Sequence, residues 1–216
     1  MESDELIGAL GGWCEAAFEG ERPSWWEVYA KYFAVSVQGT ESGDITRKKG
    51  CLYGAGMVMR KSHWEELNDR GFMAQLTCRK GDTLSSGGDT EYSYALRLLG
   101  YKIWFDERLY FTHFMTKGRM SLEYLSRLRK AMSHSNFMVL PYQEVLLSGL
   151  ETKNSLIKKA LENLRKEGFS KLMDLIKGDY EAKEKAKEFF RLQKRFLVDY
   201  AEYKGVRESI AYWLGK

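Results

Sequence analysis

The chain has 216 residues, of which 44% are hydrophobic, 30% charged and 14% aromatic, enough apolar material for one sizeable core or a core with a small appendage. Two prolines and 20 glycines exclude a collagen-like or proline-rich chain, and the aromatic content argues against wholesale disorder. The net charge of +4 is too modest to imply nucleic-acid binding, but it is unevenly spread: residues 151–216 hold 16 Lys+Arg against 11 Asp+Glu, a net of +5, and the rest is near neutral at −1.

The first segment, MESDELIGALGG, is acidic where a signal peptide would be basic, so secretion is not indicated. No apolar run approaches the roughly 20 residues that span a bilayer. Cys14, Cys51 and Cys78 form no CxxC pair, and their odd number cannot close a disulfide set. Reduced thiols in a cytoplasmic protein are the expectation.

Up to about residue 140, short apolar runs alternate with glycine-bearing turns and single helices, an α/β pattern; beyond Pro141 only helical periodicity remains. Segments 1–140 and 141–216 are therefore expected as a body and a helical extension. Cys51–Arg60 (CLYGAGMVMR) reads as a short buried strand. Ser62 and Glu65 have capping-box spacing, opening a helix through Leu67. A polar loop, Thr77–Gly88, leads to the clearest helix of this half. Asp89 opens it, Tyr92, Ala95, Leu96 and Leu99 share a face, and Gly100 stands where a left-handed cap belongs. Lys102–Asp106 and Leu109–Met115 flank Glu107–Arg108 and predict a two-stranded hairpin. A helix from Ser121 to about His134 closes the body.

In the extension, Leu156, Ile157, Ala160, Leu161 and Leu164 form one apolar face, ended by Gly168. Ala182, Ala186, Phe189, Phe196, Tyr200 and Tyr203 form another, interrupted at Gln193, and Glu181 with Lys185 makes an i,i+4 pair. Packing of these faces on one another or on the body is one reading. Peripheral contact with a membrane surface is the other, since Lys and Arg flank the stripes.

No P-loop, nucleophile elbow or metal-ligand spacing appears, and His63, His113 and His134 are too scattered to form a ligand set by spacing. What remains is RKGDTLSSGGDTEYSYALRLLGYKIWFD, a polar loop that delivers a carboxylate to a helix start. Asp89 reads either as a first-turn acid favoured by the helix dipole or as a general base for an attacking hydroxyl. Glu91 is an alternative in the same turn. His113 reads as a packed strand histidine or a ligand. Arg79 and Lys80 read as solvated charges or as contacts to an anionic diphosphate. Trp104 reads as a core aromatic. Trp25 and Trp26 read as packed, or as lining a cleft.

The runs GAGMVMRKSHWEEL and LTCRKGDTLSSGGDTEYSYALRLLGYKIWFDERLYFTHFM, taken together, resemble the C-terminal half of bacterial family 2 glycosyltransferases of the GT-A fold. The resemblance runs from about Gly8 to about Leu128. It implies a partial GT-A-like mixed sheet with flanking helices, followed by an all-helical segment. It also implies inverting transfer of a sugar from a nucleotide-diphosphate sugar to an acceptor hydroxyl. Asp89 takes the base position and His113 the metal position, with Mn²⁺ or Mg²⁺ beneath the diphosphate. Gly54, Gly56, Arg79, Lys80, Gly87, Gly88 and Trp104 take substrate-side positions.

Two departures accompany it. Gly88–Asp89 stands where the family usually carries Glu-Asp or Gln-Asp. No DxD triplet occurs, and the nucleotide-binding strands that precede it in the family have no counterpart. The resemblance therefore implies the acceptor-side portion alone, with weak or absent nucleotide binding by this chain. A location at the inner face of the membrane and a role in polysaccharide synthesis are part of the same expectation. Exposed sheet edges would favour self-association or a partner chain. A second hypothesis is a non-catalytic scaffold that binds a glycan or a partner; nucleic-acid binding ranks last for want of a motif.

Overall fold

The computed structural model describes residues 1, 4–76, 86–151 and 156–216. Among them a four-stranded mixed sheet carries helices on its flanks, and the last third is helical. The α/β class and the helical extension are as the sequence predicts.

Two long strands form the centre of the sheet. Strand β1 (Ile7–Phe18) runs parallel to a strand at Lys102–Met115, with edges supplied by β2 (Gly43–Asp44) and β3 (Val58–Met59); Lys102–Met115 is β4, and the order is β2-β4-β1-β3. The expected hairpin is therefore one strand. Its register steps from Gly11↔Phe105 to Trp13↔Tyr110, so residues 106–109 of β4 stand opposite Gly12 alone. Glu107–Arg108 does bend the chain, but into a bulge, because both apolar runs find the same neighbour, β1. The Asp106 carboxylate staples the bulge, accepting from the Arg108 backbone N–H (3.0 Å), Nε (2.9 Å) and Nη2 (2.6 Å). Trp13 Nε1 donates to the Glu107 carbonyl at 3.1 Å. Gly12 permits all this: a Cβ there would lie 1.6 Å from the Leu109 carbonyl oxygen.

Of the strand expected at 51–60, only Val58–Met59 pairs, antiparallel to β1. The rest is irregular, since Gly56 takes a left-handed φ of 70° and the Gly54 N–H is held by Asp89 rather than by a strand. Helix α1 (Trp26–Tyr29) runs into a 3-10 turn at Ala30–Phe33. Helix α2 (Lys61–Asp69) starts before Ser62, so the capping box does not form; Glu65 pairs with Lys61 at 2.8 Å instead.

Helix α3 (Gly88–Leu98) ends as its sequence predicts. Gly100 has φ 93°, the Tyr101 N–H reaches the Leu96 carbonyl (3.0 Å) and the Gly100 N–H reaches the Arg97 carbonyl (3.0 Å), a Schellman cap. Helix α4 (Leu122–Ser148) is capped by Ser121, whose Oγ accepts the Tyr124 N–H at 3.1 Å. It continues past His134 and through Pro141, crossing the expected division at 140/141. Pro141 gives up one helical N–H bond, and the flanking Phe137, Met138, Tyr142 and Val145, all in the main core, hold the helix together.

Helix α5 (Leu156–Lys177) passes through Gly168, and of its expected apolar face only Leu156 and Ala160 are buried. The second expected stripe divides at Asp199 into α6 (Tyr180–Val198) and α7 (Tyr200–Trp213). Gln193, expected as an interruption, is buried and accepts from Asn163 of α5 at 3.2 Å. Arg129 of α4 is fully buried between Glu181 (2.9 Å) and Glu188 (2.7 Å) of α6, and Tyr29 donates to Glu181 at 2.6 Å. Buried ion pairs of this kind fix geometry more than they add stability. The i,i+4 pair Glu181–Lys185 forms at 3.3 Å.

Two apolar clusters result. The larger joins Ala9, Ile103 and Phe105 of the sheet to α3, the second half of α4 and the C-terminal helices. The smaller joins Cys14 and Met115 to Trp26, Tyr29 and Phe33 and to the first half of α4. Helix α4, 27 residues and so about 40 Å long, spans both. Among the described residues no helix is long and apolar enough to cross a membrane.

Candidate active site

The two clusters leave a cleft of about 450 Å³ between them, walled by Phe33 and Leu128 from one and Val139 from the other. Five stretches of chain reach it: residues 31–34, the loop 53–55, the start of α3, His113 of β4, and α4 with Arg119 before it.

Asp89 reaches the cleft because α3 begins there. Gly87, with φ 94°, turns the chain into the helix, and a Cβ at that position would sit 2.8 Å from Ser135 Cβ and 3.0 Å from Leu76 Cδ1. The carboxylate is half-buried and held on both oxygens: Oδ2 accepts the Gly54 N–H at 2.6 Å and Oδ1 accepts the Thr90 N–H at 2.8 Å. A carboxylate has about four lone-pair sites, so each oxygen keeps acceptor capacity for a third group. Gly54 is closely fitted, since a Cβ on it would lie 3.2 Å from Asp89 Cβ.

The Gly54 loop is itself anchored. Gln38, buried, donates to the Gly12 carbonyl (2.7 Å) and accepts from the Tyr53 N–H (2.7 Å) and Lys49 Nζ (3.0 Å). Lys49 lies over the Tyr53 ring at 3.5 Å, and burial pushes its pKa down. Tyr53 bonds Ser36 Oγ at 2.6 Å, and burial pushes its phenol up. The bulge that Gly12 permits and the loop that carries the Asp89 contact thus share one side chain.

The lining also carries basic groups. Lys31 and Arg119 line the cleft with His113. The Arg119 guanidinium lies 5.8 Å from the ring centres of Phe33 and Tyr124, and its Nε is buried with no hydrogen-bond partner among the described residues. His113 shares the cleft with Asp89 although 24 positions separate them in the chain. It follows the bulge, paired with Ala16 of β1.

Among the sequence-predicted residues, Asp89, His113, Gly54 and Gly87 line the cleft; Gly56, Gly88 and Trp104 do not. Gly56 fits against Phe111, whose ring would be 2.3 Å from a Cβ. Gly88 is buried in the first turn of α3, and Trp104 sits mid-sheet, between Leu10 of β1 and Asp44 of β2. Arg79 and Lys80, like Cys78, lie outside the described residues. Glu91, the alternative base, is buried: its oxygens accept Gln75 N–H (3.0 Å), Leu76 N–H (2.8 Å) and Tyr142 O–H (2.8 Å). It closes the loop end onto α3 and α4, and burial raises its pKa. Trp26 is buried in the smaller cluster, 4.9 Å from Phe18 and 5.1 Å from Phe33, and neither Trp25 nor Trp26 lines the cleft.

Sequence reasoning missed Lys31, Tyr32, Arg119, Ser135 and Asn136 as cleft residues. The one signal available was the aromatic run WWEVYAKYF, whose crowding marks a packed wall. For a divalent cation the cleft offers His113 and Asp89. Among the described residues no three of His, Cys, Asp and Glu come together, so they do not by themselves form a cation site. No protein-family model, curated protein or solved structure matches this chain.

Proposed function

We propose that this cleft is the acceptor side of a family 2-like glycosyltransferase, in which Asp89 accepts the proton of an acceptor hydroxyl as it attacks the anomeric carbon of a nucleotide-diphosphate sugar. The observation that carries the reading is the convergence of Asp89 and His113 on one cleft whose lining also includes Lys31 and Arg119. A carboxylate held by two N–H groups is a mild base, so its contribution comes from position. Arg119 and Lys31 suit the negative charge that develops on a diphosphate leaving group. Attack on the face opposite that group gives inversion. Dependence on Mn²⁺ or Mg²⁺ belongs to the same proposal, with His113 as the ligand the cleft supplies. So does a cytoplasmic location, beside the nucleotide-sugar supply.

Calorimetric titration with UDP and GDP, with and without Mn²⁺, tests it. Weak but saturable, metal-dependent binding that disappears in His113→Ala supports the reading. Of weak and absent binding, the reading commits to weak binding by this chain, so a folded chain that takes up neither nucleotide under either condition contradicts a diphosphate in this cleft.

A further inference from the structure

Helix α5 uses only part of its circumference for the fold. Leu156 and Ala160 face α6 and are buried, whereas Ile157 (50% exposed), Leu161 (57%), Leu172 (47%) and Ile176 (63%) project from the opposite side, with Phe169 (78%) at its margin. Their spacing of three and four residues, with Arg165 filling the gap in the middle, makes one continuous stripe along all 22 residues of the helix. A shallow hollow of about 350 Å³ lies on it between Ile157, Leu161 and Arg165, with two cationic residues, Lys158 and Arg165, and one acid, Glu162, in its lining. Nothing among the described residues covers this face, and an apolar stripe of this length on a free surface marks an interaction site.

Charge selects the occupant. The helix carries six Lys and Arg against three acids, a net of +3, and Lys158 and Arg165 lie within the apolar stripe itself. Long cationic side chains on an apolar face place their stems among acyl chains and their charges at headgroup level. A second copy laid antiparallel on the same face would instead bring two Arg165 side chains together near the helix midpoint. From this stripe and its charge we propose that α5 docks the protein on an anionic lipid surface, lying in the plane of the interface. The helix is amphipathic rather than apolar throughout, so it lies on the bilayer without crossing it. This inference is independent of the glycosyl-transfer reading: it needs neither Asp89 nor nucleotide binding.

The test is flotation of the full chain with phosphatidylcholine vesicles and with vesicles containing about one-third phosphatidylglycerol, at low and high salt. The protein is expected to float with the anionic vesicles, at least tenfold more strongly than with the neutral ones, and salt should weaken the binding. Leu161→Glu with Leu172→Glu, both on the free face, should abolish flotation while circular dichroism and the melting temperature stay unchanged. Lys158→Gln with Arg165→Gln should weaken anionic binding severalfold. No flotation of the folded wild type overturns the proposal, as does equal flotation of the Glu double variant. A dimer by light scattering that the same Glu variant dissolves, without vesicle binding, also overturns it and assigns the face to self-association.

Discussion

The two halves of the central strand pair behave differently. In the first, Ile7–Gly11 beside Lys102–Phe105, Ile103 and Phe105 are buried and the register breaks once, between Ile7 and Ala9. In the second, Trp13–Phe18 beside Tyr110–Met115, exposed and half-buried residues alternate from Tyr110 to Phe114, only Cys14 and Met115 are buried, and His113 lines the cleft. The bulge at 106–109 separates them. The first half builds the main core, and the second, re-aimed by the bulge, builds a wall of the site; bulges next to functional sites serve this purpose generally. Substitutions in the two halves should therefore separate stability from binding.

The largest effect is expected at Gly12. Gly12→Ala sets a methyl group against the Leu109 backbone carbonyl, which cannot turn aside as a side chain would. A loss of about 3 kcal/mol or more in urea-unfolding free energy is predicted, together with loss of any ligand binding, because the second half loses its register. Next comes Glu91→Gln, which sets an amide NH₂ against a backbone N–H that needs an acceptor and should cost about 1–3 kcal/mol. Its counterpart in the cleft, Asp89→Asn, should cost about 1 kcal/mol in the same unfolding experiment but lower transfer by roughly 10²–10⁴-fold. Equal losses of stability at 89 and 91, with transfer unchanged, would mean that Asp89 only holds the Gly54 loop to α3.

The smallest effects are in pH dependence, and they have opposite signs. Burial raises the Glu91 pKa above its ordinary 4.5, so the native state holds a proton that the unfolded chain has released. That part of the stability is complete below 4.5 and is lost as pH rises through the folded value. The Arg108 guanidinium beside Asp106 lowers that carboxyl from 3.8 to about 2. Its contribution is complete above 3.8 and is lost as pH falls toward 2. It is small, because Arg108 is largely exposed. Asp106→Asn should flatten only the acid limb of a stability–pH curve, and Glu91→Gln only the limb above 4.5.

Local signals in the sequence were legible where one residue decides the conformation. Gly100 ends α3 by its backbone preference and Ser121 caps α4 with its side-chain oxygen, whereas α3 begins at Gly88 behind the left-handed Gly87, one residue before the expected Asp89 and with no side-chain cap. The joint presence of Asp89 and His113 at the cleft was legible only through the resemblance, since neither spacing nor periodicity relates them. Glu107–Arg108 marks a bend equally well in a hairpin and in a bulge; the choice rests on whether β1 can pair with both runs, a tertiary fact. Pro141 looked like a boundary because its local cost is real, yet packing on both sides outweighs it. The apolar face read on α5 is divided by the fold: Leu156 and Ala160 are buried, Leu164 is half-buried, and Ile157 and Leu161 are exposed, a distinction periodicity does not carry.

In the proposed reading the cleft between the two apolar clusters holds a nucleotide diphosphate against Lys31, Arg119 and His113 and leaves Asp89 to the acceptor hydroxyl. Titration of the isotope-labelled chain with UDP and Mg²⁺, followed amide by amide in nitrogen–proton correlation spectra, tests it most directly. Shifts concentrated at Gly54, Gly87, Thr90, His113 and Arg119, with α5 and α7 unmoved, are the predicted result. Unmoved cleft amides at saturating UDP, or shifts confined to another surface, would contradict it.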